Sequence, residues 1–169
     1  MKLTAQTEQS AEYRVTPQTT PSQEVEDDAI IVRALAILTN RVQRGDVMAN
    51  PTVVREYFIL RHANLEREHF DVLFLDNNHR IIKCETVALG TINQATVYPR
   101  EIVKRSLELN ASAVLLGHNH PSGAPKPSAA DISLTKTLQQ ALALVDVRVL
   151  DHIVTGGGSA TSMAEHGLF

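Results

Sequence analysis

The feature that most constrains this chain is a short apolar segment followed by a loop rich in proline and histidine. Residues 111–116 are of strand type, and two histidines and three prolines follow before the next regular element. Side chains two positions apart point to the same side of a strand, so His118 and His120 can converge. Proline and glycine exclude regular structure until Ser128, where a helical pattern begins. Asp131 lies in the first turn of that helix, and we therefore expect it to meet the two histidines.

Two imidazoles and one carboxylate are a common set of protein ligands for a catalytic zinc ion, whose fourth ligand is water. Zinc lowers the pKa of that water to about 7 and so generates hydroxide at neutral pH. The pattern predicts that His118, His120 and Asp131 bind Zn²⁺. Such a set can also hold Fe(II) for oxygen chemistry, but the spacing and the nearby serine favour zinc.

Ser128 and Asp131 also fit a simpler role, as the first and last residues of a helix-capping box. The two interpretations are compatible, because capping uses the serine oxygen while the aspartate can turn outward. Both roles are therefore kept for this pair of residues.

The spacing of these residues matches a known signature. Two histidines two positions apart, then Ser128 after seven residues and Asp131 after two more, match the JAMM (MPN+) metallopeptidase motif. The longer string HNHPSGAPKPSAAD, with Thr135 and the later LDHIVTG, resembles the RadC family of bacterial JAMM-domain proteins. The resemblance runs from about Asn50 to the C-terminus, and it is to a short form that lacks the N-terminal helix-hairpin-helix region. It implies an α/β fold, a single mixed-sheet domain with flanking helices and JAMM/MPN (cytidine-deaminase-like) architecture.

The resemblance also implies catalytic roles. JAMM enzymes use a glutamate at the start of a strand to move protons, and Glu68 and Glu85 are the candidates here. Glu68 is preferred because it keeps the spacing and the leucine of the family pattern E-x-x-G-x-L-x-G, although both glycines are missing. The simpler interpretation of Glu85 is the solvent face of a half-buried strand. Ser128 is expected to stabilise the tetrahedral oxyanion through its hydroxyl.

The composition is that of a soluble globular domain. The chain has 169 residues, of which 43% are hydrophobic and 21% charged, and its net charge is −3. An acidic balance does not attract nucleic acid or an anionic membrane. One cysteine, Cys84, excludes an intramolecular disulfide and fits a reducing compartment. No apolar run approaches the ~20 residues that cross a bilayer, and the N-terminus lacks the apolar core of a signal peptide, so a cytoplasmic protein without membrane attachment is expected.

Three regions are predicted along the chain. Residues 1–27 are polar and aperiodic and are expected to form a disordered tail, residues 28–49 a helix and linker, and residues 50–169 the JAMM/MPN RadC-like domain. The predicted order of elements is ααβββαβαββ, with the third strand at residues 95–98. Helices are expected on both faces of the sheet.

The remaining polar residues give weaker signals. His152 is expected to be a structural hydrogen-bonding residue or to orient a ligating histidine. Asn119 and Ser122 either position substrate or bond to the loop backbone. Asn77-Asn78 and Gly156–Gly158 are expected to form turns. Four histidines have no recognisable spacing and are expected at the surface, namely His62, His69, His79 and His166.

Three functions are considered for the chain. The first is a zinc metallopeptidase, a hydrolase that cleaves a peptide or isopeptide bond in a peptide or protein substrate. The second comes from the family name and is a DNA-repair-associated factor, DNA-binding protein or nuclease, which the acidic charge does not support. The third is a non-catalytic interaction module whose metal braces the loop, and the full ligand set makes it the least favoured. The sequence makes no prediction of the oligomeric state.

Overall fold

The computed structural model describes residues 20–43, 50–90 and 97–169. Four helices and five strands follow one another in this part of the chain. They are α1 (Pro21–Gln43), α2 (Pro51–Arg61), β1 (His69–Leu75), β2 (Ile81–Leu89), α3 (Pro99–Glu108), β3 (Ala113–Asn119), α4 (Ala129–Ala143), β4 (Arg148–Gly156) and β5 (Ser159–Ser162). The expected mixed α/β class is confirmed.

The five strands form one mixed sheet in the order β2-β1-β3-β4-β5. Neighbouring strands are antiparallel except β3 and β4, which run parallel and are joined through α4. A parallel pair requires a crossover connection, and α4 supplies it. The C-terminal end of β3 and the beginning of α4 therefore lie at the same end of the sheet. Residues 120–127, which we call the histidine loop, join them.

Helices cover both faces of the sheet, as the sequence predicts. Alternate residues of β1 and β3 point to opposite faces. On one face, Phe70 and Leu116 pack with buried residues of α3 and α4. On the other face, Leu73 and Leu115 pack with buried residues of α2. Burial of each such side chain contributes about 1.5–3 kcal/mol to stability. The strands that lead to the histidine loop are therefore held by packing on both faces of the sheet.

Local sequence sets one end of each of two helices. Asn50 caps α2, because its Oδ1 accepts a hydrogen bond of 3.0 Å from Thr52 N, and Pro51 takes the first helical position. After α3, Asn110 has a φ of 51° and stops the helix in the left-handed conformation. Both ends therefore follow from residues at the helix termini themselves.

The start of α1 differs from the prediction. The helix begins at Pro21, so residues 21–27 are helical and the expected boundary of the tail at residue 27 is wrong. Proline suits the first helical position, and Gln23 N donates a hydrogen bond of 2.8 Å to Thr20 O. Residues 1–19 lie outside the described part of the chain. None of the described helices is long and apolar enough to span a bilayer.

Two details of the strands also differ. In the turn after β1 the positive φ, 59°, belongs to His79 rather than to Asn77 or Asn78. Asp76 Oδ1 accepts hydrogen bonds from Asn78 N and Arg80 N, which ties the turn together without a left-handed asparagine. Residues 95 and 96 of the third strand predicted at 95–98 lie outside the described residues, and Val97 and Tyr98 are not in a strand.

Candidate metal centre

The three predicted metal ligands lie together where β3 ends. His118 is in β3, His120 follows the strand directly, and Asp131 is the third residue of α4. His118 Nε2 lies 2.9 Å from His120 Nε2 and 3.3 Å from Asp131 Oδ1. His120 Nε2 lies 3.5 Å from Asp131 Oδ2. We call these residues the His–His–Asp triad, and all their ligand atoms lie within 4.8 Å of one another.

A capping box fixes the carboxylate of the triad. Ser128 Oγ accepts a hydrogen bond of 3.1 Å from Asp131 N, and Ser128 N donates one of 2.6 Å to Asp131 Oδ2. The two roles are compatible, as expected, although Asp131 does not have to leave the cap to face the histidines. Each carboxylate oxygen has more than one lone pair, so Asp131 completes the cap and faces the histidines at once. The start of α4 therefore sets the orientation of Asp131.

Hydrogen bonds determine which nitrogen of His118 carries the proton. Thr135 Oγ1 lies 2.6 Å from Asp131 O and 2.6 Å from His152 Nδ1. The carbonyl can only accept, so it takes the hydroxyl proton, and His152 Nδ1 must donate to Thr135. Burial lowers the pKa of His152 well below its usual range, and the neutral ring accepts at Nε2 from His118 Nδ1 at 2.8 Å. The Nε2 of a neutral His118 is then an unprotonated lone pair that faces the triad.

The histidine loop likewise determines which nitrogen of His120 carries the proton. Its Nδ1 lies 2.8 Å from Ala124 O, and a carbonyl can only accept, so Nδ1 carries the proton. Two imidazole lone pairs and a carboxylate thus converge on one point, where a bound cation would offset their repulsion. Tetrahedral zinc with ligand bonds of about 2.0–2.2 Å holds neighbouring ligand atoms ~3.3 Å apart. The spacings of 2.9, 3.3 and 3.5 Å fit such an ion.

The electrostatics of the triad agree with this donor set. Burial raises the pKa of Asp131, but hydrogen bonds from His118 and His120, which form when a proton rather than a metal ion occupies their Nε2 atoms, outweigh it and hold the pKa well below its usual range. The hydrogen bond with Asp131 raises the pKa of His120. A proton and a metal ion compete for the same lone pairs, so acid weakens metal binding at such a site.

The two candidate glutamates lie in different places. Phe70 in β1 pairs with His118 in β3, and continuing that antiparallel register by two residues places Glu68 opposite His120. Glu85 is in β2, where its Oε1 lies 2.6 Å from Arg105 Nη2. The Arg105 hydrogen bond lowers the pKa of Glu85 to about 2. Arg105 already holds the carboxylate of Glu85, whereas Glu68 directly precedes the strand that pairs with β3, so Glu68 is the better placed of the two.

Asn119, whose role the sequence left open, holds the backbone on both sides of Glu68. Its Oδ1 accepts a hydrogen bond of 2.7 Å from His69 N, and its Nδ2 donates one of 2.9 Å to Arg67 O. Asn119 is buried, whereas Ser122 is exposed. Asn119 therefore ties the segment before β1 to the end of β3.

His62 was expected at the surface, and that prediction is wrong, because it is only 6% exposed. Its Nδ1 lies 2.8 Å from Thr155 Oγ1 and its Nε2 lies 3.3 Å from Asp71 Oδ2. Arg61 also donates to Asp71. These partners come from other parts of the chain, so local spacing around residue 62 could not reveal them. The other histidines of that group are more exposed, with His69 and His79 half-buried and His166 exposed.

The expected turn at Gly156–Gly158, here called the glycine turn, supports the histidine loop. His120 N donates a hydrogen bond of 2.8 Å to Thr155 O, just before the turn. A Cβ atom on Gly156 would lie 2.8 Å from the carbonyl carbon of Gly123, and Gly157 has a φ of 55°. The glycines therefore allow two backbones to touch beneath the triad, a long-range contact that the sequence alone did not indicate.

Comparison of the amino-acid sequence with known proteins identifies a family. A family model described as the RadC-like JAB domain matches residues 48–168. A UPF0758 protein of Photobacterium profundum is 49% identical over 147 residues, which are 87% of this chain and 66% of that protein. The UPF0758 protein of Vibrio cholerae is 50% identical over 145 residues, which are 86% and 92% of the two chains. UPF0758 protein YkfG of Escherichia coli is 51% identical over 144 residues, which are 85% and 91%.

The coverage of these relatives is uneven. The chain spans slightly less than two thirds of the Photobacterium protein and about nine tenths of the other two. The family match covers all three residues of the triad and the elements that position them. The chain therefore belongs to the RadC-like JAB domain family.

Proposed function

We propose that this chain is a zinc-dependent hydrolase of the JAMM type that cleaves a peptide or isopeptide bond with an activated water. The strongest support is the convergence of two imidazole Nε2 atoms and one carboxylate in the His–His–Asp triad, with the Nδ1 atom of each ring engaged by another partner. Three protein ligands with a fourth position for water are the arrangement of catalytic zinc sites. When bound there, zinc supplies a Lewis acid that lowers the pKa of water to about 7.

Glu68 is the proposed general base and general acid. It takes a proton from the attacking water and returns it to the leaving amine. Support comes from the register of β1 and β3, which would bring Glu68 opposite His120 if it continued for two more residues, and from Asn119, which bonds to the residues on either side of Glu68. A fixed backbone at this point keeps the carboxylate near the reacting atoms.

Ser128 is proposed to stabilise the oxyanion. Its Oγ accepts the cap hydrogen bond from Asp131 N, and this leaves the hydroxyl proton free to be donated elsewhere. The residue is exposed at the start of α4, beside the triad. Donation to the carbonyl oxygen as it gains negative charge would stabilise the transition state. One serine can thus serve the cap and the reaction.

The alternative is a DNA-repair-associated factor, a DNA-binding protein or a nuclease, and it has less support. The net charge of the chain is −3, which opposes binding to a polyanion. The His–His–Asp triad contains one carboxylate, whereas a two-metal nuclease site uses several acidic ligands. The peptidase hypothesis is therefore preferred.

The proposed function is tested by comparing two glutamate variants on a panel of peptide and isopeptide substrates. Glu68→Gln is expected to lower kcat by about 10²–10⁴, the contribution of a positioned general base, with unchanged zinc content. Glu85→Gln is the matched control and is expected to keep the rate of the wild-type protein. Equal rates for the two variants, or no hydrolysis of any substrate by the zinc-loaded wild-type protein, would count against the proposal.

A further inference from the structure

A cavity of about 310 Å³ opens beside the triad and has no role in the mechanism described so far. It lies between the end of α2 and the glycine turn, and His120 forms part of its wall. Ile59, Ala63 and Leu65 provide an apolar side, while the backbone of the glycine turn provides the opposite side. A concave space of this size that adjoins a candidate catalytic centre is the usual form of a ligand subsite.

Three buried polar side chains line the cavity, namely His62 (6% exposed), Asn119 (5%) and Thr155 (3%). The side-chain amide of Asn119 already has two backbone partners. Asp71 is ionised and can only accept, so His62 Nε2 carries the proton that is shared with Asp71. Burial lowers the pKa of His62, and the neutral ring therefore accepts at Nδ1 from the Thr155 hydroxyl at 2.8 Å. This contact is shorter than the 3.3 Å from Thr155 Oγ1 to His118 O, so His62 takes the proton.

The direction of this hydrogen bond determines what the cavity offers to a ligand. Because the Thr155 hydroxyl proton is given to His62, Thr155 Oγ1 keeps its lone pairs and can act toward a ligand only as an acceptor. An amide N–H is the complementary group. The absence of side chains at Gly156–Gly158 also allows an extended peptide backbone to lie against this wall.

The lining carries no formal charge. None of the described residues that line the cavity is Asp, Glu, Lys or Arg. The ionised carboxylate of Asp71 is 1% exposed, does not line the cavity, and is paired with Arg61. A phosphate or carboxylate group placed in the cavity away from the triad would lose its hydration without gaining a cation, so this part of the cavity disfavours anions.

We propose that this cavity is the substrate subsite next to the His–His–Asp triad and that it takes an uncharged segment of a peptide, one of whose amide N–H groups donates to Thr155. The inference rests on the proposed peptidase function, and it names the substrate class that this function would select. A phosphodiester substrate does not meet these requirements.

Binding of short peptides to the zinc-loaded protein tests the subsite. Three capped tetrapeptides that differ only in one central residue, leucine, aspartate or lysine, are titrated while the backbone amide NMR signals of Thr155 and Gly156–Gly158 are followed. The leucine peptide is expected to shift these signals, and the charged peptides to bind about tenfold more weakly. Equal affinities for the three peptides, shifts confined to other residues, or no binding at millimolar concentration would overturn the proposal.

A variant that fills the cavity provides an independent test. Ala63 is exposed at the rim, so Ala63→Trp is expected to fold, to retain zinc and to lose at least about tenfold in affinity for the leucine peptide. Ala164→Trp is the matched control at an exposed alanine that does not line the cavity, and it is expected to bind normally. Normal peptide binding by folded Ala63→Trp would overturn the subsite.

The outcome for the subsite is distinguishable from the outcome for catalysis. Peptide binding in the cavity without cleavage of any substrate would support the subsite and contradict the proposed hydrolase activity. If the Ala63→Trp variant cleaves peptides as fast as the wild-type protein, the hydrolase activity is supported and the subsite is contradicted.

Discussion

At the scale of single residues, the candidate centre depends on where protons lie on two rings. Thr135 has one hydroxyl proton and gives it to a carbonyl, so His152 must donate to Thr135 and accept from His118. The other tautomer of His118 would present an N–H group, which cannot bind a metal. Two residues outside the triad therefore decide whether His118 can act as a ligand.

Thr135→Val tests this orientation of His118. Valine keeps the shape of threonine but removes the acceptor for His152 Nδ1–H, and loss of such a partner weakens metal binding by about 10–100-fold. We expect that loss when zinc affinity is measured by competition with a chelator. Thr137→Val is the control, because Thr137 is exposed on the same helix and its hydroxyl bonds to Ser133 O. If both variants bind zinc as tightly as the wild-type protein, the tautomer assignment is wrong.

At the scale of elements, the junction of β3, the histidine loop and α4 carries most of the site. Ser128 Oγ caps α4, and the cap in turn orients Asp131. One residue thus couples the stability of a helix to the geometry of the centre. The two contributions can be separated by choosing the replacement.

Two variants of Ser128 separate capping from catalysis. Ser128→Ala is expected to lower the free energy of unfolding by about 1 kcal/mol, whereas Ser128→Gly costs only a few tenths at an N-cap. Both variants lack the hydroxyl and are expected to lose about 10²–10³ in kcat, as when an oxyanion donor is removed. Urea unfolding and peptide hydrolysis measure the two effects. A Ser128→Gly protein with the full rate would rule out the oxyanion role.

The same junction shows what could be predicted from the sequence. Three local patterns made it possible to predict that His118, His120 and Asp131 meet. They are the alternation of side chains along a strand, the prolines of the histidine loop and the spacing of the capping box. The contact of Gly156 with Gly123 and the burial of His62 against Thr155 could not, because each joins distant segments. Their partners are determined by the sheet order rather than by neighbouring residues.

At the scale of the whole molecule, two buried polar networks lie on opposite faces of the sheet. One connects α4 to β3 and β4 through His152. The other joins the end of α2 to β1 and β4 through Arg61, Asp71 and His62. The second network places an ionised carboxylate in the interior, so the stability of the whole fold depends on its charge.

Asp71→Asn tests that dependence. Burial raises the pKa of Asp71, but hydrogen bonds with His62 and Arg61 outweigh it and hold the pKa well below its usual range. A folded pKa below the unfolded value means that ionised Asp71 stabilises the fold above pH ~4, and that this stabilisation is lost as the pH falls through the folded value. We expect Asp71→Asn to lower the free energy of unfolding by roughly 3 kcal/mol near neutral pH, with a smaller difference below pH ~4.

Urea unfolding of the metal-free proteins across this pH range measures the effect. Asp27→Asn is the control, because Asp27 is exposed on α1 and its replacement is expected to leave stability nearly unchanged. A difference between the wild-type protein and Asp71→Asn that stays constant with pH would show that the charge of Asp71 does not stabilise the fold.

Metal content tests the His–His–Asp triad most directly. Elemental analysis compares the purified wild-type protein with the double variant His118→Ala/His120→Ala, and with His69→Ala/His79→Ala as a control outside the triad. We predict about one zinc ion per chain in the wild-type protein and the control, and background levels in the triad variant. A wild-type protein that takes up no zinc even after zinc is added back, or a triad variant that retains it, would contradict the metal centre and the hydrolase built on it.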